Sequence, residues 1–455
     1  MSKNPTSLWT LARRPAALAA LALLALGSTA AQALDLQQAW DAANTGDATI
    51  RAARAATEAA RERLPQARAQ LRPNVSFSAG RNYNDLTSEG RNALGQPVKS
   101  QMHYYSGNQV LQIRQPLYRP YNSAQVRQAE AQVAGAEAEL ETDEQALVVR
   151  VGEAYFEALL AREQLALVLA QKHSYSTQLD AARKALAAGS GTRTDIDDAQ
   201  ARLDMTVAQE LEARQNEDYT RRRLEVMTGQ PVDELARVAA ERFAPQQPVP
   251  ALVDDWIERA EDASPQLRAL RAQVETARQE VAKARTGHLP TLDAVAQWSR
   301  TSSDSVTSVN QRYDNKTIGL QLQVPLYAGG YVSSTVRQAL AMQTRAEEQL
   351  EAARLDLGVR VHREFRGMTE GVLRIAALQQ AVASAEQALA SSRKSQEAGV
   401  RTLLDVLNAE QQRILALRDL AQARYLYLVS RLRLQSLAGE DAQDNVAQVN
   451  VWLEH

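Results

Sequence analysis

The sequence predicts a mainly helical chain that carries four β-strands and uses one structural unit twice. The first observation is a strict repeat. Gly189, Asp195, Ala199, Leu224 and Gly229 recur as Gly399, Asp405, Ala409, Leu434 and Gly439, each pair 210 residues apart. At the same offset Val126-Arg127-Gln128-Ala129 returns as Val336-Arg337-Gln338-Ala339, and Val151 and Tyr155 return as Val361 and Phe365. The second is a proline-free run from Ser123 to Ala188 in which Gly135 and Gly152 are the only glycines, matched by a heptad-spaced run in the second half. The third is a switch, once in each half, from helical spacing to alternation of apolar and polar residues, the period of a strand.

Residues 1–33 read as a secretory signal peptide: a basic start at Lys3, Arg13 and Arg14, a short apolar run from Ala16 to Leu26, and a small-x-small site at Ala31-Gln32-Ala33. The apolar run is roughly half the ~20 residues of a membrane-spanning helix. The residues around Arg13-Arg14 do not make a twin-arginine signal. Cysteine is absent, which removes disulfides, thiolate metal sites and a lipid anchor on a cysteine. A net charge of −2 with both signs nearly balanced argues against a nucleic-acid partner. Ala, Gln, Arg, Glu and Leu dominate, the composition of long helices and coiled coils.

The first copy spans 34–240 and the second 241–440, followed by a polar C-terminal tail at 441–455. Each copy opens with amphipathic helix, about Asp35 to Leu71 and Val253 to Leu289, with Trp40 and Trp256 at equivalent starts. Gly46 and Pro265 divide these stretches, and Pro65 adds a kink. Past Pro290, Leu292, Ala294, Ala296 and Trp298 alternate with Asp293, Gln297 and Ser299; before Pro325, Ile318, Leu320, Leu322 and Val324 alternate with Thr317, Gly319, Gln321 and Gln323. The first copy repeats the design with Val75, Phe77, Leu111 and Ile113. Polar stretches, Asn84 to Gln101 and Ser302 to Asn315, read as the loops between paired strands. Pro116 and Pro325 are expected to end the strands, since proline has no N–H for the ladder. Helix resumes after Pro116-Leu117-Tyr118 and Pro325-Leu326-Tyr327. Ile375, Leu378, Val382, Ala385 and Leu389 form a 3-4-3-4 seam, so the long helices pair as coiled coils. The seam breaks at Gly189 and Gly399 and restarts, which predicts helical hairpins with a glycine at each tip.

Four alternating strands do not close a membrane barrel alone, because single-chain barrels start at about 8 strands. The chain either keeps its strands in water or pools them with copies of itself as 8, 12 or 16. Aliphatic residues on one face and Gln and Thr on the other suit a water-filled barrel. Tyr83, Tyr104, Tyr105, Tyr313 and Tyr327 are candidates for its aromatic girdles.

Two strand pairs, each ending in Pro-Leu-Tyr and followed by very long helices, resemble the TolC family of outer-membrane channel proteins. The segment Ala398-Gly399-Val400-Arg401-Thr402-Leu403-Leu404-Asp405-Val406-Leu407-Asn408-Ala409 is similar to that family's periplasmic-entrance motif. The resemblance covers about Leu34 to Glu440. It implies a homotrimer with a 12-stranded transmembrane β-barrel in outer-membrane lipid, standing on a periplasmic coiled-coil barrel of twelve helices that tapers to a closed tip. It implies a passive exit duct for drug efflux or type I protein secretion. A periplasmic membrane-fusion adaptor would open it, and an inner-membrane transporter of ABC, RND or MFS type would energise it.

By that resemblance Asp405 forms the acidic ring at the entrance, Arg401 is the gate arginine, and Thr194 and Asp195 are its partners on a neighbouring helix. The family's gate tyrosine and second ring acid align with Gln396 and Asn408, which implies one acidic ring and weaker cation block. A plainer role stands beside these. Thr192-x-x-Asp195 and Thr402-x-x-Asp405 each fit a capping box that restarts a helix after glycine. No catalytic, metal or cofactor constellation is expected. His103, His173, His288, His362 and His455 are scattered, Asp197 points away from the face shared by Asp195 and Asp198, and the i,i+4 acids Glu153 and Glu157 read as a solvated face. A soluble periplasmic coiled-coil adaptor or scaffold is the alternative; it has no need of alternating strands.

Overall fold

The computed structural model describes residues 33–454 apart from 240, 306 and 307. All of the expected signal peptide except Ala33 therefore lies outside the described residues. Helices α1 (Leu36–Gly46), α2 (Ala48–Arg61) and α3 (Arg63–Ala69) open the chain. Asp35 starts α1 through a capping box with Gln38, and Asp47 caps α2 by accepting the N–H groups of Thr49 and Ile50 at 2.6 and 3.2 Å. Gly46 and the Glu62–Pro65 region break the stretch where expected. In the second copy α6 (Val253–Ala263) gives way to α7 (Pro265–Arg285), with Ser264 as cap and Pro265 at the first helical position, where a missing N–H costs nothing.

Strands β1 (Asn74–Arg91), β2 (Pro97–Tyr118), β3 (Thr291–Ser305) and β4 (Ser308–Gln323) form one antiparallel sheet in chain order. Both expected loops prove to be largely strand. Ladder pairing runs from Asn74↔Arg114 to Arg91↔Pro97, leaving only 92–96 as a turn, and β3–β4 pairing reaches Ser305↔Ser308. A hairpin in water holds its backbone ladder whatever polar side chains it carries, so polarity alone did not mark a loop. Pro116 does not end its strand either: the pairing slips between Pro116 and Tyr118 and β2 continues. Such a bulge accommodates the missing donor.

Cross-strand partners share a face, so the register sorts the side chains. One face gathers Val75, Phe77, Leu111, Ile113, Ala294, Ala296, Trp298, Ile318, Leu320 and Leu322. The other gathers Ser76, Gln112, Gln297, Thr317 and Gln321. Tyr83 and Tyr105 pair on the apolar face with ring centroids 5.3 Å apart. Tyr104 and Tyr313 fall on the polar face, a departure from the expected girdle, because each sits one position out of phase with the aliphatic set.

Four long helices follow the two strand pairs: α4 (Pro120–Ala187) with α5 (Arg193–Thr228), and α8 (Tyr331–Glu397) with α9 (Leu403–Leu437). At 68 residues, α4 is about 100 Å long. The heptad seam is real, with Ile375 and Leu389 buried and Leu378 and Val382 packed against the core. Glu153 and Glu157 are not a bare acidic face: they pair with Arg433 and Arg223 across to α9 and α5.

The main core gathers midway along the long helices, around Tyr155, Phe156, Leu159, Tyr425, Tyr427 and Leu428. The buried Tyr155 hydroxyl lies 2.9 Å from the carbonyls of both Leu34 and Ala236, tying the residues just ahead of α1 to the segment that follows Thr228. The segment expected as a polar tail is part of this core. It forms α10 (Ala442–Asn450), and Val446, Val449, Trp452 and Leu453 are buried. Trp452 lies edge-on to Phe243, and the Trp452 carbonyl accepts the N–H of Ala239 at 2.8 Å. The acids Asp441 and Asp444 concealed this role: Asp441 caps α10, and the apolar residues on the opposite side of the helix face inward.

A bidentate ion pair fixes sheet to helices. Arg119, between β2 and α4, donates to both oxygens of the buried Asp293 on β3 at 2.9 and 2.6 Å. Among the described residues no helix is long and apolar enough to cross a membrane.

Candidate periplasmic gate

The two hairpin tips are built alike. Gly189 and Gly399 have φ of +79° and +75°, where a side chain would be strained, and each lies immediately past the end of a long helix. Two N–H groups then fold back on one carbonyl: Ser190 and Gly191 on Ala185, Val400 and Arg401 on Ser395. Thr192 and Thr402 cap the returning helices, accepting the N–H of Asp195 and Asp405 at 3.2 and 3.3 Å. In return Oδ2 of each aspartate accepts the threonine N–H at 3.0 Å and the hydroxyl at 2.7 and 2.8 Å. Both capping boxes are present, so each aspartate serves its own helix start. The Thr402 hydroxyl and N–H, and then the Arg401 charge, hold the Asp405 carboxyl below its usual range.

The tips touch through a small core of their own. Leu403 and Leu407 of α9 pack with Tyr175, Leu179 and Ala182 of α4 and Ala199 of α5. Beside it, Arg202 on α5 donates to Asn408 at 2.6 Å and to Gln411 at 2.8 Å on α9. Asn408, which aligns with the family's second ring acid, thus takes a hydrogen bond from a cation in the other hairpin.

Arg401 is exposed, yet its Nη1 donates to the buried Ser392 hydroxyl at 2.8 Å, back onto its own hairpin. Within one chain it meets neither Asp195 nor Thr194. Thr194 is exposed at the start of α5, and the Gln396 carbonyl accepts the N–H of Gly399 at 2.9 Å.

Each hairpin also sinks one glutamate between two cations. Glu210 meets Lys172 and Arg214, and Glu410 meets Arg393 at 2.8 Å and Arg413 at 3.2 Å. Sequence reasoning passed over these glutamates, along with Arg202 and Ser392. The one available signal was an acid interrupting an apolar seam, as Glu410 does between Leu407 and Ile414.

The family model described as outer membrane efflux protein matches residues 39–230 and 256–440. The chain belongs to this family. The proteases secretion protein PrtF of Dickeya chrysanthemi is 34% identical over 436 residues, 95% of this chain and 94% of that protein. The alkaline protease secretion protein AprF of Pseudomonas aeruginosa is 35% identical over 411 residues, covering 90% and 85%. The solved Campylobacter jejuni CmeC outer membrane channel has the same fold, with a TM-score of 0.76 at 16% identity over 92% of this chain and 90% of that one. This outer membrane efflux protein is an exit duct of the TolC type, residing in the outer membrane. The family is one of outer membrane efflux proteins, and solved structures of this fold are outer-membrane channels.

Proposed function

We propose that three copies of this chain pool their strands into one 12-stranded barrel above a tunnel of twelve long helices, as an exit duct for type I protein secretion. The observation that carries this reading is the sheet. Both its edges, β1 and β4, are open, and its apolar face is bare, with Ile318 89% exposed. Lipid offers no hydrogen bonds to an open edge, so closure with copies satisfies both edges and wets only the polar face. A soluble adaptor would leave this face in water, which disfavours the alternative. Protein cargo is favoured over drugs because PrtF and AprF, both named for protease secretion, match at 34% and 35% identity. A periplasmic adaptor and an ABC-type transporter are the fitting partners.

At the tip, three Asp405 carboxylates surround the axis and attract cations. Arg401 meets Thr194 and Asp195 of an adjacent hairpin once the copies assemble, and charge-assisted bonds there keep the duct closed. Native mass of the mature protein extracted in mild detergent tests the assembly. A trimer supports it; a monomer recovered from the periplasm without detergent overturns it. The gate has a separate test. Arg401→Ser should raise single-channel conductance in planar bilayers, and unchanged conductance removes Arg401 from the gate.

A further inference from the structure

Above the apolar band, the outward face of the sheet turns basic. Arg81 on β1 lies opposite Gly107 on β2, Gly107 opposite Ser302 on β3, and Ser302 opposite Arg312 on β4. In the neighbouring row Gln109 lies opposite Arg300, and Arg300 opposite Asp314. Facing partners share a side, so Arg81, Arg300 and Arg312 project from the same face as Phe77, Trp298 and Ile318. Gly107 leaves this row open: a Cβ there would come within 2.9 Å of the Ser302 hydroxyl. The hollow around it, about 930 Å³, is lined by Arg81, Tyr105, Arg300 and Arg312 among others.

Among the described residues the charges in the hollow are not balanced from within. Asp314 is committed, one oxygen to Trp298 and the other to Arg300, both at 2.9 Å. Arg81 lies over the Tyr105 ring at 5.1 Å. Among the described residues no carboxylate pairs with Arg81 or Arg312. Both are exposed, and β2 and β3 at the centre of the hollow are interior strands, so closing the barrel through β1 and β4 leaves the hollow uncovered.

The depth is also informative. Arg312 lies ten residues from Leu322, about 34 Å along a strand, or roughly 26 Å along the axis of a barrel whose strands tilt by ~40°. An outer-membrane barrel has an apolar band about 25 Å tall, so the row sits at the headgroups of the outer leaflet. We propose that the hollow over Gly107 is a binding site for the phosphorylated headgroup of an outer-leaflet lipid. Arg81 and Arg312 hold the phosphate oxygens from two sides, and the acyl chains run down past Trp298 and Phe77. Guanidinium suits this role because its planar fork meets phosphate with two parallel bonds.

Native mass spectrometry of the intact detergent-solubilised assembly, with lipid A carrying its phosphates and with dephosphorylated lipid A, tests the site. The phosphorylated lipid should stay bound, and the Arg81→Gln/Arg312→Gln double variant should weaken it at least tenfold. Arg127→Gln, on the helical tunnel, should leave binding unchanged. Equal retention of dephosphorylated lipid by the unsubstituted protein overturns the proposal without need of any variant. Displacement of the lipid by millimolar inorganic phosphate also overturns it, since the hollow would then be a site for free anions. A double variant that assembles normally and binds phosphorylated lipid as before overturns it too.

Discussion

Replacing Ile318 by arginine tests the assignment of the sheet's faces at a single residue. Ile318 lies five residues from the end of β4, which places it about 17 Å along the strand and roughly 13 Å along the axis of a tilted barrel. That is close to the middle of an apolar band about 25 Å tall. Arginine at the midplane of a barrel's lipid face costs about 2–4 kcal/mol, and three copies in one barrel raise this to about 6–12 kcal/mol. The total is comparable with the ~5–15 kcal/mol that stabilises a folded protein. Two controls use the same substitution. Thr317→Arg lies at nearly the same depth but on the polar face, and Leu322→Arg lies on the apolar face one residue from the strand end, where the cost falls to about 0–1 kcal/mol per chain. The assay is the fraction of protein recovered from outer membranes as the folded oligomer, followed by its denaturation midpoint. Ile318→Arg should nearly abolish recovery, while Thr317→Arg and Leu322→Arg should remain close to the unsubstituted protein. Equal recovery of all three would refute the argument, because a sheet in water does not distinguish the two faces by depth.

Arg119→Ala leaves the buried Asp293 carboxylate at the sheet–helix junction with only Arg114, 3.9 Å away; with Arg119 one-third exposed, the loss should be about 2 kcal/mol, read as an earlier denaturation midpoint. Trp452→Ala removes a buried ring packed on Phe243 and Tyr427 and should cost about 3 kcal/mol, lowering the melting temperature, whereas a dispensable tail would show no shift. The Thr402 hydroxyl and N–H hold the Asp405 carboxyl below the usual carboxylate range, so its charge and its cap persist throughout that range and are lost as pH falls through the lowered value. Cation block measured in bilayers should therefore stay level from neutral pH down to about 5, weaken only in stronger acid, and be reduced throughout in Asp405→Asn.

Much of this fold was legible because local chemistry repeats. The 210-residue offset exposed the duplication, proline-free alanine-rich runs gave the long helices, and Gly189 and Gly399 marked the tips where φ turns positive. The gate was legible only in part. Asp195 and Asp405 could be read as caps because a capping box spans four neighbouring residues, and both boxes formed. Arg202 and Asn408 lie about 200 residues apart, and nothing near either one announces the other.

The sequence by itself determined the periodicities, and with them the order of helices and strands and the outward apolar face. Those follow from side-chain spacing along a single element, which is fixed as soon as the residues are. Tertiary structure decided where each strand ended, which way Tyr104 and Tyr313 face relative to Tyr83 and Tyr105, and that the C-terminal segment belongs to the core. It also turned Arg401 back onto Ser392. Each of these depends on register or on contact between distant segments, and long-range packing sets both.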